Sequence, residues 1–127
     1  MDRRRVEAWI AAYEWAWRTP GTESLGQVFT ADARYLQGPY ETPVVGLQAI
    51  AAMWEAQRDA PDEVFEMSSS IVALDGNTAV ARVEVRYGKP VEQEYRDLWI
   101  MIFTDEGLCR SFEEWAYWPD KPYSARP

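Results

Sequence analysis

The chain contains no histidine and a single cysteine, Cys109. The first absence removes the side chain that most often moves protons near neutral pH, together with imidazole-based zinc sites. The second excludes an internal disulfide and, with no cysteine cluster, the usual transition-metal ligand sets. No apolar run approaches the ~18 residues of a membrane span, and the N-terminus lacks the basic-then-apolar pattern of a secretory signal, so a soluble, cytoplasmic protein is expected. Positive charge is scarce as well: 13 Lys and Arg stand against 21 Asp and Glu, a net −8. Nucleic-acid binding draws on clustered positive charge, so no nucleic-acid partner is expected. The one basic run, Arg3-Arg4-Arg5, opens a helical pattern and reads as a solvated first turn rather than a localisation signal. Gly-rich phosphate loops, nucleophile elbows and Ser/His or Cys/His pairings are also missing, which speaks against covalent catalysis. Carboxylates could in principle hold Mg²⁺ or Ca²⁺, but neither a metal nor an organic cofactor is expected.

What remains is one domain's worth of chain, 127 residues, rich in rings: seven Trp, seven Tyr and four Phe. That supply exceeds what a core of this size needs for packing, and leaves rings to line a pocket or an interface. Val6, Trp9, Ile10, Tyr13, Ala16 and Trp17 recur at helical spacing and predict a first helix over residues 2–18, with Trp9 in the core. Thr22 caps a short second helix with an inner face of Leu25, Val28 and Phe29, closing at Ala31-Asp32 ahead of the strand ARYLQGPY. After a loop from Glu41 to Gly46, the residues Leu47, Ile50, Ala51 and Trp54 predict a third helix, stopped by Ala60-Pro61-Asp62. Four strand-like stretches follow: Val64 to Leu74, then TAVARVEVRYG, EQEYRDLWIMIF and LCRSFEEWAYW. Turns at Asp75-Gly76-Asn77, Gly88-Lys89-Pro90 and Asp105-Glu106-Gly107 separate them. Helices segregated from consecutive strands define an α+β domain over 1–119, with a proline-rich tail, 120–127, that is irregular or loosely docked.

The aromatic first helix, VFTADARYLQGPY, the loop-to-helix stretch VVGLQAIAAMW and FTDEGLCRSFEEW, in this order, resemble the nuclear transport factor 2-like, or SnoaL-like, superfamily over nearly the whole chain. The most specific pieces are Phe29, Ala31 and Asp32, the Gly46-x-x-x-Ile50 entry to the third helix, and the Gly107 turn. The resemblance implies a cone: a strongly curved, antiparallel-rich sheet wrapped around three helices, with a pocket at one end and an outer face used for dimerisation. The superfamily holds ketosteroid isomerases, limonene epoxide hydrolase, polyketide cyclases and non-enzymatic transport or scaffolding proteins, so the fold leaves activity open.

Against the ketosteroid isomerase pattern, Tyr13 matches the helix-one tyrosine. The base falls on Gln37 and the acid on Trp99, neither of which can hold the required proton, so that chemistry is disfavoured. Against the epoxide hydrolase pattern, Tyr35-Leu36-Gln37, Arg82-Val83-Glu84 and Glu114 keep every chemical type, with each acid and amide one methylene longer. The resemblance then implies that Tyr35 and Gln37 position a water, Glu114 is the base, Glu84 the acid, and Arg82 bridges them. Strand alternation opposes this: Ala79, Ala81, Val83, Val85 and Tyr87 share one face and should point inward, sending Arg82 and Glu84 out, unless the hairpin at Gly88-Lys89-Pro90 shifts register by one. Glu113 and Glu114 must face opposite sides unless a bulge intervenes. The resemblance makes Glu114 the inward one, beside Phe112 and Ala116, with Glu113 outside beside Trp115. In an aromatic cavity such a carboxyl should have a raised pKa unless an arginine pairs with it.

Tyr13, Trp17, Trp54, Asp97, Trp99 and Phe112 are the expected ligand contacts. Leu98, Ile100, Ile102 and Trp115 form an apolar outer patch that predicts a homodimer. Two functional classes stay open: a cofactor-free acid/base hydrolase or isomerase for a small, mostly apolar substrate, and a non-catalytic ligand-binding or dimerisation module.

Overall fold

A computed structural model describes residues 1–58 and 64–120. Helix α1, Arg3–Arg18, starts where the Asp2 carboxylate accepts a 2.8 Å hydrogen bond from the Arg5 N–H, satisfying one of the donors that a helix start leaves open. Its buried side is Val6, Trp9, Ile10, Tyr13 and Ala16, the predicted stripe. Trp9 is core: its indole N–H donates to the Val28 carbonyl at 2.8 Å, and its ring packs edge-on against Phe29 and Phe103.

The second helix is shorter than its pattern suggests. It is a single 3-10 stretch, Glu23–Gln27, and Phe29 already belongs to strand β1, Phe29–Leu36. The reason is non-local: Phe29 lies opposite Cys109, whose N–H donates to the Val28 carbonyl at 2.8 Å, so sheet pairing takes the backbone that a longer helix would need. The described residues therefore hold two α-helices and a 3-10 turn rather than three helices. The expected loop before the last helix holds a two-residue strand, β2 (Val44–Val45), paired antiparallel with β1. Gly46, at φ +93, then turns the chain into α2, Leu47–Gln57, which buries Ile50 and Trp54. The break expected at Ala60-Pro61-Asp62 and the tail from Lys121 onward lie outside the described residues.

Strands β3 (Phe65–Asp75), β4 (Thr78–Tyr87), β5 (Gln93–Phe103) and β6 (Cys109–Tyr117) follow as successive hairpins. The sheet order is β2-β1-β6-β5-β4-β3, antiparallel except where β1 runs parallel to β6. Irregularities near Ile71/Ala73 and Ile102/Phe103 bend it. The helices lie on its concave side: the Tyr13 ring of α1 sits 4.7 Å from Trp99 and 5.3 Å, stacked, from Phe112. This is the cone expected of the superfamily.

One register decides the site. From Thr78 opposite Ile102 to Tyr87 opposite Gln93, β4 and β5 pair without a slip. Ala79, Ala81 and Val83 are fully buried and Val85 nearly so, while Arg82 is exposed. Hydrophobic patterning has won over the arrangement that a water-activating Arg-x-Glu would require. At the opposite end, Gly107, φ +90, closes the β5–β6 turn; a Cβ there would sit 2.9 Å from the Arg5 guanidinium, which donates to the Asp105 carbonyl. Among the described residues no helix is long and apolar enough to cross a membrane.

Candidate functional site

The open end of the cone encloses a cavity of about 460 Å³. Its floor is Tyr13 from α1 and Tyr35 from β1, buried side chains whose hydroxyls lie 2.7 Å apart. Its sheet wall carries Asp97 and Trp99 from β5 and Glu114 and Ala116 from β6. These four meet because Trp99 lies opposite Glu114 and Asp97 opposite Ala116, which makes the two acids diagonal neighbours on one face. Tyr87 and Tyr95 extend the wall toward the mouth, with ring centroids 5.9 Å apart. Across from them, Gln37 and Gln57 close the rim through reciprocal amide hydrogen bonds of 2.8 and 2.9 Å.

Two acids, Asp97 and Glu114, stand on this wall. Burial, and secondarily the charge of Asp97, push the Glu114 carboxyl from its ordinary 4.5 up to about 7. No ion pair reaches it among the described residues, so nothing opposes the rise. Asp97, 6 % exposed, accepts a 3.3 Å hydrogen bond at Oδ2 from the Trp99 indole N–H. Tyr13 and Tyr35 are both held well above the usual phenol range, first by burial and then by neighbouring oxygens, Tyr35 and Glu114 for the one and Glu114 for the other. They stay protonated, and of the two O–H groups one bridges the pair while the other remains to donate. Among the described residues no three His, Cys, Asp or Glu side chains gather as a metal site.

Of the residues singled out from sequence, Glu114, Tyr35, Gln37, Tyr13, Trp17, Asp97 and Trp99 meet in this cavity. Arg82 and Glu84 do not. They stand on the convex face, opposite Leu98 and Arg96, where Glu84 lies 3.7 Å from Arg96 and 3.9 Å from Arg86 in a half-exposed row. An acid and a bridging arginine on the far side of the sheet cannot share a substrate with Glu114, which removes the epoxide-hydrolase arrangement. Trp54 and Phe112, expected as ligand contacts, are core residues at 1 % and 0 % exposure, packed behind Trp17 and Tyr13. Glu113 faces away from the cavity and accepts a hydrogen bond from the Trp115 indole, as parity required. Tyr95 was legible as a lining residue, because it shares parity with Asp97 and Trp99. Gln57, Met67 and Glu92 reach the cavity from separate elements and left no local signal.

The profile of the SnoaL-like domain matches residues 6–110. A protein from Jannaschia sp. CCS1 assigned as a SnoaL-like polyketide cyclase superposes with a TM-score of 0.71 at 14 % identity, covering 91 % of this chain and 90 % of that one. A protein of Agrobacterium tumefaciens assigned as an isomerase of the SnoaL-like family gives 0.69 at 22 %, over 90 % and 98 %. The epoxide hydrolase/cyclase-like enzyme SalBIII, which acts in pyran ring formation in the polyether salinomycin, gives 0.71 at 14 %, over 94 % of each chain. At these identities the likeness speaks for the fold alone. No curated protein matches the sequence significantly. With five-sixths of its length matched by that profile and the same cone in its structural neighbours, the chain belongs to the SnoaL-like domain family.

Proposed function

We propose that the protein takes a small, mostly apolar molecule into the cone and moves a proton on it without a cofactor, with Glu114 as the acid/base group. The carrying observation is the Glu114 carboxyl on the cavity wall, poised at about 7, where one group can both accept and return a proton at neutral pH. Asp97 helps to set that poise, and the Tyr13–Tyr35 pair offers a hydroxyl to a substrate oxygen as charge develops. Isomerisation, ring closure or hydrolysis fit this set. SnoaL-like neighbours assigned as an isomerase and a cyclase lend support by analogy only.

The test is a panel of small ketones, lactones and epoxides, followed for turnover with the parent and with Glu114→Gln. A general acid/base role predicts a loss on the order of 10²-fold or more in kcat/KM and a rate inflection near 7. Turnover that survives Glu114→Gln undiminished refutes the assignment. A second reading, ligand binding without chemistry, is favoured by one observation: Arg82 and Glu84 stand on the convex face, away from Glu114, so the acid and bridging arginine of a hydrolase do not reach it. Stoichiometric binding with no turnover across the panel would select it.

The same proposal includes a homodimer through the convex face, where Leu98 is 37 % exposed and Ile100, Ile102 and Trp115 are only half-buried in the single chain. Leu98→Glu should convert a dimer to a monomer by light scattering. A cytoplasmic location, where the lone buried Cys109 thiol stays reduced, completes the reading.

A further inference from the structure

Behind the two phenols of the cavity floor lies a third donor. Trp54 of α2 is 1 % exposed and packs edge-on against Tyr13 and Trp17, with ring centroids 5.2 and 4.8 Å away, one layer beneath the cavity surface. Its indole N–H is buried, faces the Tyr35 oxygen and closes no hydrogen bond. A buried donor left open is uncommon, because it gives up its hydration and gains nothing in return. The Tyr13 and Tyr35 hydroxyls, meanwhile, share a single 2.7 Å bond. Three donor protons thus gather around two phenol oxygens, Tyr13 O–H, Tyr35 O–H and Trp54 N–H.

We infer that Tyr35 is the hydroxyl that donates to a substrate oxygen, and that Trp54, which does not touch the substrate, is the positioning residue that directs and strengthens it. This rests on the reading of the cavity as a site that moves a proton on a small molecule, and it assigns the donor within that site. The contacts of the two phenols point one way. Trp54 and Tyr13 both stabilise charge on the Tyr35 oxygen and so oppose the effect of burial there, whereas its bond to Tyr35 pushes Tyr13 further up. The shared proton therefore stays with Tyr13, and the proton of Tyr35 is left to the cavity. Glu114 also bears on Tyr35 more directly: after burial its charge is the largest influence on that phenol, while at Tyr13 the Tyr35 hydroxyl outweighs it. A donor beside the base suits a substrate whose oxygen takes up charge as Glu114 removes a proton. As that charge develops, the Tyr35 proton is drawn outward, its oxygen becomes a better acceptor, and the open Trp54 N–H has a bond to close. A bond made only at that point stabilises the transition state more than the resting site.

The experiment uses acetophenone as the probe, bound to the full chain at pH 8, where Glu114 is ionised and cannot itself donate. Isotope-edited difference infrared spectroscopy reads the hydrogen bond at the probe's carbonyl, and NMR of the indole N–H groups reads Trp54 in the unaltered protein. The expected result is a carbonyl stretch moved to lower frequency in the parent. Tyr35→Phe should lose that shift together with about tenfold in affinity, whereas Tyr13→Phe and Trp54→Phe should weaken the shift and keep part of it. In the parent the Trp54 N–H resonance should move downfield as the probe binds, and in Tyr35→Phe it should stay where it is. A carbonyl shift that survives Tyr35→Phe overturns the assignment of the donor. A shift identical in Trp54→Phe and the parent, or an indole resonance of the parent that ignores the probe, overturns the role of Trp54. The NMR arm on the parent needs no substitution, so it decides even where Trp54→Phe fails to fold. Each of these results leaves the small-molecule reading standing; failure of acetophenone to bind the parent overturns both.

Discussion

Replacing Glu114 with glutamine should stabilise the protein, and only above mildly acidic pH. The folded carboxyl sits at about 7 against an ordinary 4.5. A group whose pKa is raised on folding binds its proton more tightly in the native state, so between those two values the native state carries more protons and stability falls as pH rises. The contribution is fully present below about 4.5, is lost across the interval up to about 7, and stays lost above it. At about 1.4 kcal/mol per pH unit, the full loss is on the order of 2–3 kcal/mol, the lower end allowing for solvent that reaches the half-buried side chain through the cavity mouth. Glutamine keeps the shape of the protonated acid and cannot ionise. The two proteins should therefore unfold alike near pH 4.5 and diverge to that extent by pH 8, which corresponds to roughly 10 °C in Tm for a domain of this size. Urea titrations followed by circular dichroism at half-unit pH steps measure it, and the difference between the proteins cancels every other titrating group to first order. Parallel stability curves from pH 4.5 to 8 would refute the account of the wall as a site where burial and Asp97 together hold a proton.

Tyr13→Phe or Tyr35→Phe should each cost about 1–3 kcal/mol, since one buried hydroxyl then loses its 2.7 Å partner; the double variant should cost less than the sum, and an additive double-mutant cycle would contradict the coupling. Arg82→Ala and Glu84→Ala should each change stability by no more than about 0.5 kcal/mol and leave probe binding untouched, because both side chains lie on the convex face; a binding defect would place them back in the site. Cys109, fully buried with its thiol pushed up to about 12, should react with a disulfide reagent only as fast as the protein opens, so rapid stoichiometric labelling under native conditions would contradict its placement.

Most of the architecture could be read from local chemistry. The stripe from Val6 to Ala16, the turns at Gly76 and Gly107 and the alternation of β4 each follow from a period of 3.6 or 2 and from backbone preferences acting within a few residues. The parity of Glu113 and Glu114 was equally secure, since neighbouring strand residues face opposite ways. Phe29 has helical spacing yet belongs to a strand, because its backbone partner, Cys109, is eighty residues distant. Trp54 and Phe112 lie in the core rather than on the cavity wall, a difference the sequence does not carry because a ring reads the same whether it lines a cavity or lies one layer beneath it.

The sequence by itself determined an α+β domain without histidine, in which the two glutamates of the 113–114 pair must face opposite sides of a strand, because composition and strand parity depend on nothing beyond the chain; the cone came from the family resemblance. Only the tertiary structure decided which groups Glu114 meets. An unshifted β4–β5 register buried the alanines, turned Arg82 and Glu84 away, and left Glu114 beside Asp97 on the cavity wall. Register is a cooperative choice across ten residue pairs, made by the burial of a whole face, and no single residue announces it.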